Sequence, residues 1–203
     1  MQKAANEILR EVIRAVEDLP KGIYAPSDDT SLMLDTITKM QVEGKKVLDI
    51  GTGSGILGIF CAARGARVTV TDIDDSALHH AQKAARAMGL SIQAIMSDIF
   101  SNVQGRSDLI IFNPPYLPSS RVEDRTVDGG TQGTVLSKRF LADLADHLER
   151  DGTALLLVSS LNDSASLLSA AIPQFDHVVM GKRSLFFEEL KVLRIRFRED
   201  LAG

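Results

Sequence analysis

Four consecutive residues, Asn113, Pro114, Pro115 and Tyr116, carry the groups best suited to chemistry in this chain. They follow an apolar run, Leu109 to Phe112, that has the character of a buried strand. Two prolines remove two ladder donors and fix φ, so they end that strand and leave Asn113 at its carboxyl end against rigid backbone. Open α/β sheets hold their ligands at that edge. There the Asn113 side chain and the Pro114 carbonyl can accept two hydrogen bonds from one planar NH2 group, while Tyr116 offers a ring face for stacking. A Pro-Pro pair that only stops a strand is the competing reading, and the motif alone does not separate the two.

Three further strand ends must meet Asn113 for that chemistry to have a site. Lys46 to Ile50 reads as a strand containing Asp49, and Gly51-Thr52-Gly53-Ser54-Gly55 as a tight turn into a helix from Ile56 to Arg64. Glycines there let backbone N–H groups approach a ligand at a helix N-terminus. Gly53 to Gly58 also satisfies the G-x-G-x-x-G pattern, so an NAD-binding reading stays open. Cys61 falls among small and apolar residues of that helix and reads as a buried hydrophobe. A second strand, Arg67 to Val70, runs into Asp72 and Ile73, where a carboxylate can accept hydrogen bonds from ribose hydroxyls. Asp74 or Asp75 caps the next helix, Ser76 to Met88, which Gly89 ends and on which His79 and His80 are expected to face solvent. After a third strand, Ser91 to Met96, Asp98 offers an acceptor for an adenine amine and Ile99 or Phe100 an apolar cover for its ring.

The remaining segments supply the frame. Ile8, Leu9, Val12, Ile13 and Val16 recur at helical spacing, so the chain opens with an amphipathic helix ending before Pro20. Ser27 or Asp28 is expected to cap a helix carrying Leu32, Met33, Leu34, Ile37 and Met40, with Asp28 and Asp29 complementing its dipole. Leu117 to Gly133 is a long polar loop of the kind that binds or covers ligands. Val135 to Leu148 has helical period, Asp151-Gly152 reads as a turn, Thr153 to Val158 as a buried strand and Asn162 to Ile172 as a helix stopped by Pro173. Phe175 to Met180 and Leu190 to Phe197 form an antiparallel pair joined through Gly181 to Phe187. The predicted fold is α/β: a Rossmann-like, doubly wound, mostly parallel seven-stranded sheet with one antiparallel strand in a C-terminal hairpin.

Composition narrows the class. With 203 residues, 44% of them hydrophobic, the chain suits a single domain over 1–203, with 1–40 as a helical N-terminal extension. A net charge of -4 argues against tight non-specific binding to polyanions. One cysteine excludes an internal disulfide and a multi-cysteine zinc site and suits a reducing compartment, no metal site is expected, and no stretch resembles a signal peptide or a membrane span. The expected location is the cytoplasm.

Acidic and glycine positions at every consecutive strand end together resemble the class I S-adenosylmethionine-dependent methyltransferases. The resemblance implies that Gly51, Gly53 and Gly55, with Asp49 and Thr52, hold the methionine end of S-adenosyl-L-methionine. It assigns Asp72 and Ile73 to the ribose and Asp98 and Ile99 to adenine. Asn113-Pro114-Pro115-Tyr116 then resembles the motif of enzymes that methylate a planar nitrogen, with Asn113, Pro114 and Tyr116 catalytic, all four, Pro115 included, binding substrate, and Asn113 also at the cofactor. Tyr24-Ala25-Pro26-Ser27-Asp28-Asp29-Thr30 resembles a segment of the compact HemK-like glutamine methyltransferases of archaea and eukaryotes. Ala25 and Asp28 depart from its usual glutamates, whereas Asp29 and Thr30 match and by resemblance lie at the cofactor. That resemblance, covering Tyr24 to the C-terminus, implies methylation of the glutamine in the Gly-Gly-Gln loop of a class I release factor. It also implies a small zinc-binding activator protein as partner. Two alternatives remain at this stage: an RNA or DNA methyltransferase acting on an exocyclic amine, and an NAD-dependent oxidoreductase.

Overall fold

Seven strands among the described residues form one sheet: β1 (Lys46–Ile50), β2 (Arg67–Asp72), β3 (Gln93–Met96), β4 (Ser107–Phe112), β5 (Leu148–Ser159), β6 (Phe175–Ser184) and β7 (Glu189–Phe197). Their order is β3-β2-β1-β4-β5-β7-β6. All neighbours run parallel except β7, which is antiparallel to both β5 and β6. The structure, a computed structural model, describes residues 2–115, 134–161 and 173–199. Tyr116, the loop read over Leu117 to Gly133 and the helix read over Asn162 to Ile172 lie outside them.

Alternation along the central strands divides the core into two layers, because successive side chains leave opposite faces of a strand. Val47, Leu109, Ile111, Leu155 and Leu157 point to one face, where α1 (Gln2–Ala15), α2 (Asp28–Thr38), α3 (Ile56–Ala63) and α4 (Asp75–Ala87) contribute the facing apolar side chains. Leu48, Ile50, Ile110, Phe112, Leu156 and Val158 point to the other face and meet α5 (Val135–His147). There Phe112, Phe140 and Phe100 pack ring on ring, with centroids 5.0 and 5.5 Å apart, and His147 stacks on Phe100 at 4.3 Å. Strands buried on both faces explain the unbroken apolar runs in β4 and β5.

Several expected boundaries move, each for a physical reason. β5 begins at Leu148: its partners advance from Ser107↔Leu148 to Leu109↔Thr153, so the Asp151-Gly152 turn is a bulge within a longer strand. Gly181 to Ser184, read as connection, continues β6, and the turn is confined to Leu185–Glu188, where the Leu185 N–H donates to the Glu188 carbonyl at 2.7 Å. Gly181 serves a close crossing, since a Cβ there would lie 3.1 Å from both Leu32 Cδ1 and Thr36 Oγ1 of α2. His80 is buried, unlike its exposed neighbour His79, because α1 covers that part of α4; burial holds its pKa below the ordinary value. Val12 on α1 and Val16 just after it are buried, but Ile13 is half exposed. Asp74 caps α4 as expected, accepting from the Ser76 N–H at 2.8 Å. Ser27 occupies the N-cap of α2, but its side chain makes no capping hydrogen bond to the helix.

Helix α3 lies so close to β2 that Gly58 has no room for a side chain: a Cβ would sit 2.7 Å from Val70 Cγ1 and 3.1 Å from Asp49 Oδ2. Gly58→Ala is expected to lower the unfolding free energy by roughly 1–3 kcal/mol through overpacking. Combined with Val70→Ala it should cost less than the two single changes added, because the same methyl is removed from the clash. Urea unfolding midpoints of the four proteins check this, and simple additivity would refute the clash.

Candidate functional site

The site begins with the turn after β1. Gly51, Gly53 and Gly55 have φ of 60°, 52° and 83°, a left-handed region costly to any residue with a Cβ. Two carboxylates fasten this turn. Asp49, 1% exposed, accepts from Thr52 Oγ1 at 2.6 Å and from the Gly58 N–H at 3.0 Å. The second bond satisfies a donor in the first turn of α3, whose N-cap, Gly55, has no side chain to do so. Asp72, at the end of β2, accepts from the Gly53 N–H at 2.9 Å and the Asp74 N–H at 3.0 Å.

Asn113 is held from the other side. Its Nδ2 donates to Asp29 Oδ2 at 3.0 Å, while Asp29 Oδ1 accepts from the Thr30 N–H at 2.6 Å. Asp29 is 2% exposed at the start of α2, and Tyr24 lies beside it. Burial, then the Asp29 charge, pushes the Tyr24 phenol up to about 12. An ionised carboxylate can only accept, so it fixes which end of the Asn113 amide faces Asp29. The other end, Oδ1, is buried and has no hydrogen-bond partner among the described residues.

These strand ends share one cavity of about 680 Å³, a volume typical of small-molecule sites. Gly51, Thr52 and Gly53 line it from β1, Asp72 and Ile73 from β2, and Asp98 and Ile99 from β3. Asn113 and Pro115 line it from β4, and Tyr24 and Thr30 from the segment before and within α2. Asp29, Asp49, Gly55 and Pro114 are not part of that lining, although Pro114 lies between two residues that are. Asp49 is therefore a support beneath the turn, and Gly55, whose Cβ would lie 2.7 Å from Ala81 Cβ, is a helix-packing position. Asp29 reaches the site through Asn113.

Sequence reasoning missed Arg139, which grips Asp98 with both terminal nitrogens at 3.2 and 2.8 Å. No local pattern signals a pair 41 residues apart. Leu136, from the same helix, adds an apolar wall. Ile99 is the one non-glycine residue with positive φ among the described residues, at 54°. Ser97 Oγ holds that conformation by donating to the Ile99 carbonyl at 3.0 Å. Cys61 is fully buried, and burial pushes its thiol up, consistent with a packing role. Among the described residues no group of acids, histidines or cysteines could hold a metal, and no helix is long and apolar enough to cross a membrane.

Residues 24–184 match the family model described as the methyltransferase small domain. The chain belongs to that family. A Methanocaldococcus jannaschii protein, provisionally named a protein N5-glutamine methyltransferase, is 35% identical over 84% of this chain and 90% of its own length. A Deinococcus radiodurans release factor glutamine methyltransferase is 28% identical over 80% of this chain and 63% of its own. The ribosomal RNA small subunit methyltransferase C of Chromohalobacter salexigens is 28% identical over 74% of this chain but 42% of its own length. Among solved structures, the E. cuniculi Mtq2-Trm112 complex, described as responsible for methylation of the eRF1 translation termination factor, has a TM-score of 0.72. It is 23% identical, over 87% of this chain and 99% of that one, which establishes a shared fold. Membership in this methyltransferase family displaces the NAD reading of the glycine pattern, whose third glycine, Gly58, is used for packing against Val70 and Asp49.

Burial raises the Asp49 carboxyl from 3.8 to about 7, with the nearby Asp72 charge adding to it and the Thr52 and Gly58 hydrogen bonds opposing it. Between those values the folded chain keeps a proton that the unfolded chain has released, so this residue's contribution to stability is lost as pH rises from about 4 to 7. Wild-type stability should therefore fall over that window relative to Asp49→Asn and run parallel to it above. Urea midpoints measured across pH test this, and a constant difference from pH 4 to 7 would reject a raised pKa.

Proposed function

We propose that the protein is an S-adenosylmethionine-dependent N-methyltransferase acting on the side-chain amide of a glutamine in a protein, specifically in the Gly-Gly-Gln loop of a class I release factor. The observation that carries this reading is the buried Asn113 Oδ1, which has no partner among the described residues while Asp29 holds the other end of the amide. A buried acceptor in that state is costly, and a substrate N–H relieves the cost. The 35% identical relative named for glutamine N5-methylation supports the choice of substrate class, as does the Deinococcus radiodurans relative named for release factors.

The donor set fits the methyl donor. Carboxylates at Asp72 and Asp98 suit ribose hydroxyls and an adenine amine, each with lone pairs beyond those its neighbours use. Ile73, Ile99 and Leu136 supply apolar walls, and Gly51 to Gly53 allow close approach of backbone at the methionine end. S-adenosylmethionine, when bound, supplies a methyl group on a positively charged sulfur that departs with the electron pair of the broken carbon–sulfur bond. An amide nitrogen is a weak nucleophile because its lone pair is delocalised into the carbonyl. Asn113 Oδ1 and the Pro114 carbonyl would accept hydrogen bonds from its two N–H groups, letting it pyramidalise and aim the lone pair at the methyl carbon, and one of the two protons leaves to solvent once the nitrogen–methyl bond has formed. The resemblance gives Tyr116 the role of stacking on the amide plane. Such orientation is worth up to roughly 7–11 kcal/mol in favourable cases. The proposal includes a small zinc-binding partner subunit, by analogy with a protein of the same fold solved together with Trm112.

A second reading, methylation of an exocyclic base amine, draws on the RNA methyltransferase relatives and on a T. thermophilus 16S rRNA N2 G1207 methyltransferase solved with AdoMet and guanosine. That structure is 25% identical, with a TM-score of 0.67, over 85% of this chain and 43% of its own. The same pair of acceptors would serve that nitrogen. Incubation of the full chain, alone and with a Trm112-type partner, with labelled S-adenosylmethionine and release factor, tRNA, rRNA or DNA decides between them. Label on the Gly-Gly-Gln glutamine is expected; label on nucleic acid alone would overturn the first reading.

Asn113→Ala should lower kcat by about 10²–10³-fold with little change in cofactor affinity, since its proposed contacts are to substrate. Asp29→Asn, which can donate as well as accept, should lower kcat through misorientation of Asn113 while leaving cofactor affinity near wild type. Asp72→Ala should weaken the cofactor by about tenfold or more through loss of charge-assisted hydrogen bonds. Calorimetry with S-adenosylmethionine beside single-turnover rates separates these outcomes; equal loss of cofactor binding in Asn113→Ala would contradict its assignment.

A further inference from the structure

The turn of the C-terminal hairpin carries two phenylalanines that no described residue covers. Phe186 is 92% and Phe187 83% exposed, and their rings meet edge to face with centroids 4.6 Å apart. Surface aromatics paired this way form a small apolar platform, the composition favoured at the centre of protein interfaces. The turn that presents them is built, not loose. Glu188 closes it through its carbonyl at 2.7 Å from the Leu185 nitrogen, and its carboxylate receives Ser159 Oγ at 2.5 Å. The Glu189 N–H donates to Ser160 Oγ at 2.8 Å, and Leu185 packs into the core beneath.

Register places this platform beside the mouth of the cavity. Phe112 pairs with Leu156, so Asn113 stands level with Leu157, and Ser159 lies two residues, about 7 Å, further along the same edge. The tip rises just beyond Ser159, and β7 is two strand spacings, about 10 Å, from β4. Glu188 is near enough to raise the pKa of Tyr24, which lines the cavity. An extended glutamine carries its amide nitrogen about 5 Å from its own Cα. With that nitrogen at Asn113, the substrate backbone would lie near the rim, and the two rings, further along the same edge and two strands across, would meet folded surface flanking the loop and not the loop itself.

We infer that Phe186 and Phe187 are a docking platform for an apolar patch of the protein substrate next to the methylated loop. The charges around the tip favour a polypeptide over a nucleic acid. Arg183 is spent on Asp28 and Asp35 at 3.0 and 3.1 Å, and Lys191 on Glu189 at 2.8 Å. With Glu188 beside them, Lys182, Arg183 and Lys191 leave no net positive charge to attract phosphates. The inference rests on the glutamine reading above, and its test separates the two.

Full-length wild type, Phe186→Ser/Phe187→Ser and Phe186→Leu/Phe187→Leu are compared for equilibrium binding to purified release factor by fluorescence anisotropy. Methyl transfer is measured in parallel on the whole factor and on a short peptide spanning Gly-Gly-Gln. The serine pair should weaken binding and raise KM for the whole factor by about tenfold or more, with kcat and peptide turnover unchanged. The leucine pair should retain most of the affinity. Unchanged KM and affinity in a serine variant with wild-type thermal midpoint overturns the platform, as does equal loss on peptide and whole factor, or absence of wild-type binding. Binding that depends on the two rings without transfer to glutamine would support the platform and sink the glutamine reading. Loss of transfer to an rRNA fragment instead would assign the rings to base stacking and overturn the platform for protein.

Discussion

A carboxyl group with no ion-pair partner among the described residues, Asp49, underlies the site. It is sealed between β1 and α3, where an ionised group loses its hydration and gains only a hydroxyl, one backbone N–H and the positive end of a helix in return. What it secures is shape: the three left-handed glycines after β1 have little intrinsic preference for a single conformation. With Thr52 tied to Asp49 from below and Gly53 tied to Asp72 from the side, the turn is braced in two directions. The cavity floor is therefore organised by polar bonds that no bound molecule has to supply, which lowers the ordering cost of binding.

The opposite wall follows a similar logic with a different outcome. At the glycine turn every named polar group finds an internal partner; at Asn113 one acceptor finds none among the described residues. The difference traces to Asp29, which accepts from one end of the amide and so turns the other end, Oδ1, away from itself. A buried acceptor in that state costs stability.

Much of this was legible in residue order. Strand β1 was delimited to the residue because Lys46 to Ile50 is bounded by charge and glycine, and the sheet class followed from alternation of apolar runs with helical periods. The meeting of Gly51 to Gly53, Asp72, Asp98 and Asn113 in one cavity was also legible, since consecutive parallel strands bring their carboxyl ends together. What sequence period could not show were contacts made across elements. Asp29 reads as a helix-start acid because its partner is 84 residues away, and His80 reads as exposed because the helix covering it belongs to another part of the chain. Gly181 and Gly152 read as turns because glycine marks both a change of direction and a place where two backbones or helices press together. The Arg139–Asp98 pair carries no local signature at all.

Helix α2, which presents Asp29, is itself seated by the far end of the chain. Gly181 of β6 makes room for Leu32 and Thr36, and Arg183 two residues later clamps Asp28 and Asp35. The last hairpin thus lies in the chain of support that aims the Asn113 amide, although none of its residues is in the cavity lining. Portability is limited accordingly. A graft that moved the glycine turn and the Asn-Pro-Pro-Tyr tetrapeptide onto another parallel sheet would inherit the chemical groups without their alignment, unless the closing strands travelled with them.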